Sequence, residues 1–246
     1  MTARERSGVT VTDRAARPAP LGWLRAAVAD RGSLRSWTLI ANDGIIATAG
    51  ILEGFAGAGA SNRTLITAAT VATIVGMLSV GGAEWSEAAA EREAQLAAAE
   101  EEAAEIARQP GVEHAGVVAY YEEKGLTPEL AREVADQLMA HDALDAQLES
   151  EHGILEVVSR AQTARAGIGS AIAYLLGAAI PLTVTVVVPV AVESSLILAA
   201  VVLSLIVTSA IGARTGHTNL RQTLVRTLTV GLGTLAVSYL VGKLFF

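Results

Sequence analysis

Residues 64–108 read TLITAATVATIVGMLSVGGAEWSEAAAEREAQLAAAEEEAAEIAR. Positions 64–83 carry no charged side chain, and their length matches the roughly 20 residues a helix needs to cross a hydrocarbon core. From Glu84 onward the run turns into alanine and glutamate, both strong helix formers, and meets no glycine or proline until Pro110. The stretch therefore predicts a membrane span that continues without a break into an acidic helix.

The rest of the chain fits that beginning. Of its 246 residues, 52% are hydrophobic and only 17% charged, and the mean hydropathy is +0.45. That is too apolar for an ordinary soluble domain. Four further segments are long enough to span: 37–60, 166–188, 194–213 and 222–244. Segment 166–188 is free of charge, and 194–213 is clean after Glu193; 37–60 carries Asp43 and Glu53, and the last segment includes Arg226. The expected fold is an all-α integral membrane protein with five transmembrane helices and a three-helix domain inserted between helices two and three. Its parts are an N-terminal segment (1–36), spans one and two (37–83), an acidic helical domain (84–165) and spans three to five (166–246).

Charge is unevenly spread. Residues 84–165 hold 19 Asp and Glu against 6 Lys and Arg, a net of −13, whereas the remainder is net +6. Such an acidic insert is no partner for nucleic acid. Seven arginines lie in the first 36 residues, and Arg214, Arg221 and Arg226 mark the link between spans four and five. The loop near Pro189 has no basic residue. The positive-inside rule then places the N terminus and the acidic insert in the cytosol and the C terminus on the opposite side. Residues 21–32, LGWLRAAVADRG, read as a short amphipathic surface helix with Trp23, Leu24 and Val28 toward lipid. No targeting signal is visible, and the alanine-rich character points to a bacterial cytoplasmic membrane.

With no cysteine in the chain, a metal site here must use carboxylate, imidazole, thioether or backbone oxygen. Glu84, Glu87, Glu91, Glu102 and Glu105 fall on one narrow face at 100° per residue. Thr73, Met77 and Val80 extend the same line back into the span. A glutamate- and alanine-rich helix is commonly just a solvated surface, but such a helix normally mixes in lysine at i and i+4. This one has only Arg92 and Arg108. Uncompensated carboxylates repel one another unless a cation joins them, and oxygen donors with a thioether suit a divalent first-row ion.

Asp43 and Glu53 lie in the NDGIIATAGILEG run of the first span (42–54). A carboxylate inside a membrane costs at least a few kcal/mol, on the order of 3, and marks an ion or proton path by default. Asp43, about two turns into the segment, is also compatible with a helix start at the membrane surface; Glu53 is deeper. Gly44, Gly50, Gly54 and Gly57 would let another helix approach closely.

The stretches NDGIIATAGILEGFAGAG, GMLSVGGAEW, YYEEKGLTPELAREVADQLMAHDAL and ESEHGI resemble the vacuolar iron transporter family, which includes nodulin-21-like plant proteins and many bacterial members. The similarity covers nearly all of the chain after about residue 36. It implies a dimeric five-span fold with a cytosolic three-helix metal-binding domain. It also implies movement of Fe2+, or in some members Mn2+, out of the cytosol against protons, with no permanently bound cofactor. By position, Asp43 matches the family's first-helix aspartate, and Glu84 the glutamate closing its second span. Glu102, Glu105, Glu113 and Glu151 fall where the family places carboxylate ligands. Departures are Val80, where a methionine is expected with Met77 nearly one turn earlier; Gly116, where a carboxylate is expected; and Gln147 and Leu148, where methionines or a histidine stand.

Transport therefore competes with two other classes. A membrane-anchored buffer or sensor would need only the acidic domain. A ferritin-like oxidase would need two Glu-x-x-His pairs, and Glu149 with His152 supplies one. His141 and His152 read as surface or cap residues rather than ligands.

Overall fold

The computed structural model describes residues 31–188 and 193–245. Most of the helix expected over 21–32, with Trp23, Leu24 and Val28, and the loop at Pro189 fall outside that range. Seven helices follow one another: α1 (Arg31–Gly57), α2 (Asn62–Arg108), α3 (Pro110–Glu123), α4 (Pro128–His152), α5 (Arg160–Val187), α6 (Glu193–Thr215) and α7 (Leu220–Phe245). No strand occurs among the described residues. Five of the helices, α1, α2, α5, α6 and α7, are long and apolar enough to cross a membrane, and they correspond to the five segments expected from sequence. The protein is an all-α integral membrane protein. As the unbroken alanine and glutamate run predicts, α2 is a single helix of 47 residues.

The chain divides into two compact units, one of which comprises Ser86–Thr163 and the other the described residues through Trp85 and from Ala164 onward. In the second unit α1 is the central helix. Its Ile45, Ala49 and Leu52 form a core with Leu65 and Ala69 of α2, Ile197, Val201 and Leu205 of α6 and Leu235 of α7. Without a hydrophobic drive between helices in lipid, close packing needs small residues and satisfied polar groups. Both are present. A Cβ on Gly44 would strike the carbonyl of Tyr174 in α5, and one on Gly57 the carbonyl of Tyr239 in α7. Gly177 and Gly242 answer from the other side, against Ala41 and Gly54 of α1. The hydroxyls of Thr48 (α1) and Thr73 (α2) pair at 3.2 Å, and Thr208 of α6 donates to Asn42 Oδ1. Val71, Ile74, Val75 and Leu78 of α2 are exposed, as suits a helix whose outer face meets lipid.

The Ser86–Thr163 unit is built differently. Its buried residues are Ala99, Val117, Ala131, Ala135, Ala146 and Leu148, together with Glu102, Glu113, Gln147 and Thr163. Alanines let the helices approach but bury little apolar area, so the centre of this unit is largely polar. Thr127 opens α4 by accepting from the Leu130 amide. Within α4, Asp142 leaves helical geometry (φ −154°, ψ 102°), and its Oδ1 accepts the amides of Leu144 and Asp145 at 3.1 Å. Asp142 is thus an internal N-cap that starts a second short helix. Gly153, at φ 66°, closes that helix in the left-handed conformation that glycine tolerates.

Candidate metal centre

Three helices of the Ser86–Thr163 unit supply the donors. Glu102 and Glu105 sit one turn apart at the end of α2. Glu113 occupies the first turn of α3, where the positive end of the helix dipole favours a carboxylate. Glu151 and His152 sit in the last turn of α4, beyond the Asp142 kink. Two groups of potential ligand atoms result, each lying within 4.8 Å of one another: Glu102, Glu105 and Glu113 in one, Glu102, Glu151 and His152 in the other. Glu102 belongs to both.

Glu102 is 2% exposed and Glu113 7%. Buried carboxylates are costly unless hydrogen-bonded or joined to a cation. Glu102 Oε1 meets His152 Nε2 at 3.0 Å, but Glu102 Oε2, equally buried, has no hydrogen-bond partner. Glu113 Oε2 accepts from the amide Nε2 of Gln147, a side chain with no exposed surface. Desolvation by the surrounding protein, and after it the charges of Glu102 and Glu113, hold the Glu151 carboxyl above the usual carboxylate range, with His152 opposing and Glu105 adding to the rise. Arg108 pairs with Glu105 at 3.5 Å, but both side chains are exposed. Among the described residues, these four acidic groups form ion pairs with exposed Arg108 and with His152, which is charged only when protonated.

The remaining residues singled out in the sequence lie elsewhere. Glu87 and Glu91 are exposed on α2, and Glu91 accepts from Gln95 at 2.7 Å. In the other unit, Asp43 is exposed on α1 between the buried Asn42 and Gly44, whereas Met77 and Glu84 are half-buried on α2. Glu53 is buried and lines a cavity of about 410 Å³ with Ser195 and Leu198 of α6 and Leu232, Leu235, Ala236 and Tyr239 of α7.

The sequence profile of the VIT family matches residues 34–243. The chain belongs to the VIT family. A vacuolar iron transporter of Acanthamoeba castellanii is 34% identical over 163 residues, which cover 66% of this chain and 55% of that protein; the match spans about half of the relative's length.

In this VIT-family chain the donor set is hard: carboxylate oxygens and one imidazole, with no sulfur in either group. Such a set suits Mn2+ or Fe2+ better than a soft ion. Two participants were not singled out as ligands or supports in the sequence. His152 reads as a surface or cap residue; it is exposed in the last turn of α4, which Gly153 caps, and its ring also reaches Glu102. Gln147 stands where the resemblance places methionines or a histidine, but nothing in the sequence marks it as the partner of Glu113.

Proposed function

We propose that this chain moves a divalent first-row metal ion, Fe2+ or Mn2+, out of the cytosol in exchange for protons. The observation that carries the reading is Glu102, fully enclosed, with one carboxylate oxygen lacking a partner among Glu105, Glu113 and Glu151. A buried anion so placed is a binding site for a cation. Five apolar helices with Asp43 and Glu53 inside the first are more than an anchor requires.

In the proposed cycle the Glu102 cluster collects the ion on the cytosolic side. Asp43, Met77 and Glu84 then carry it through the membrane unit of a homodimer. Protons arriving from the far side neutralise Asp43 or Glu53 and release the ion, because a protonated carboxyl is a poor ligand. The ion is cargo, is chemically unchanged, and needs no further cofactor. The arginine distribution supports a cytosolic N terminus and a cytosolic location for residues 84–165.

The deciding experiment is flux in liposomes holding the full chain under a pH gradient, with anaerobic Fe2+ and Mn2+ compared. Ion uptake with opposite proton movement, lost in Asp43→Asn, is the expected result. Tight ion binding without flux of either metal would replace the transporter by a membrane-anchored buffer or sensor.

A further inference from the structure

Gln147 is the most enclosed polar side chain of the Ser86–Thr163 unit, with 0% exposure. Its amide is fixed at both ends. Nε2 donates to Glu113 Oε2, and Oε1 accepts the Ser150 hydroxyl at 3.2 Å. Ser150 also donates to the Gln147 carbonyl oxygen at 3.2 Å, which ties the amide to the backbone of its own helix turn. A neutral donor is therefore built into a cluster whose other members are four carboxyl groups and one histidine. Leucine or methionine would fill the same space but would leave Glu113 Oε2 without this donor. The amide does something an apolar side chain does not: it occupies one oxygen of Glu113.

We infer that Gln147 is a positioning residue that makes Glu113 a one-oxygen ligand and so sets the preference of the cluster for a small first-row ion over calcium. This rests on the metal reading proposed above. Calcium takes about 6–8 oxygens at roughly 2.3–2.6 Å and readily uses both oxygens of a carboxylate, with loose geometry. A smaller ion is content with fewer single-oxygen contacts. With one oxygen of Glu113 held by an amide, the three-carboxylate group Glu102, Glu105 and Glu113 is short of the donors calcium needs. It still offers one atom per residue within 4.8 Å.

The test uses the full chain in detergent or nanodiscs, with Mn2+ as the probe and Ca2+ as competitor. Mn2+ binding is read by its electron paramagnetic resonance signal, whose line shape also reports the symmetry of the donors. The wild type should bind Mn2+ and resist Ca2+, and Glu102→Gln should lose Mn2+ binding. Gln147→Leu should lower the Mn2+/Ca2+ preference by about tenfold, the order expected for one charge-assisted hydrogen bond, and alter the Mn2+ line shape. Gln147→Glu keeps the shape of the side chain but cannot donate when ionised, and should shift the preference in the same direction. It serves where the leucine variant fails to fold. An unchanged preference and line shape in a folded variant overturns the role of Gln147 and leaves the metal reading standing. Absence of both Mn2+ and anaerobic Fe2+ binding in the wild type overturns the metal reading itself.

Discussion

The Nε2 atom of His152 lies 3.0 Å from Oε1 of Glu102, joining the last turn of α4 to α2 across 50 residues of chain. The histidine either orients the buried carboxylate or binds the ion beside it, and both roles make it part of the site. His152→Ala should weaken Mn2+ binding to the full chain by about tenfold, with His152→Gln retaining part of it. A calorimetric titration checks this; equal affinity in the alanine variant would reduce the pair to a clip between helices.

Glu151 gives a pH-dependent signature. Its carboxyl is held above the ordinary value of 4.5 by desolvation and then by Glu102 and Glu113. The folded state therefore binds this proton more tightly than the unfolded chain does. The stability associated with it is fully present below the unfolded value and is lost as pH rises through the raised, folded one. In the metal-free protein Glu151→Gln should melt higher than wild type at neutral pH and at the same temperature near pH 4. With Mn2+ present the order should invert at neutral pH, because the variant has lost a ligand. Thermal scans with and without chelator decide it.

Asp142 caps the turns that carry Gln147, Glu151 and His152. Asp142→Ala should cost about 1 kcal/mol, seen as roughly fivefold faster hydrogen exchange over residues 143–152 together with weaker Mn2+ binding. Asp142→Asn, still able to cap, should restore both. Unchanged exchange in the alanine variant would show that packing alone holds the kink.

Two glycines make a matched pair in the membrane unit. A Cβ on Gly177 would meet the Ala41 carbonyl carbon at 2.8 Å, whereas one on Gly82 would meet nothing within 4 Å. Gly177→Ala should force α1 and α5 apart and lower the melting temperature in detergent by several degrees. Gly82→Ala, mid-helix and unobstructed, should gain about 0.5–1 kcal/mol. Comparable losses for both would mean that close contact of α1 with α5 is not what limits stability.

The spans were legible because hydropathy and length decide them almost alone, and Gly44, Gly54 and Gly57 were legible because only glycine permits backbone contact. The metal centre was readable in part. The stripe on α2 contains Glu87 and Glu91 as well as Glu102 and Glu105, yet a straight helix rises about 1.5 Å per residue. Glu91 is then about 16 Å from Glu102 along the axis, too far to share an ion. Beyond neighbours one turn apart such as Glu102 and Glu105, further ligands must come from facing helices, and angular alignment on one helix carries no information about those. The arrival of Glu113, Glu151 and His152 depends on the chain reversals at Pro110 and Gly125 and on the Asp142 kink. That kink breaks a run of good helix formers, so nothing short of the packed structure reveals it.

On the metal reading proposed above, the exposed carboxylates that take no part in the cluster also shape the kinetics of loading. Glu87, Glu91, Glu93, Glu100 and Glu101 are exposed along α2, Glu93 and Glu100 on the face opposite Glu91. Their field reaches only about 8 Å at physiological ionic strength, so they attract a cation into a thin layer along the helix rather than from afar. Loading is then a search along a line instead of through a volume. Its rate should fall steeply with added salt while the ion, once enclosed by Glu102, leaves at a rate that salt hardly touches.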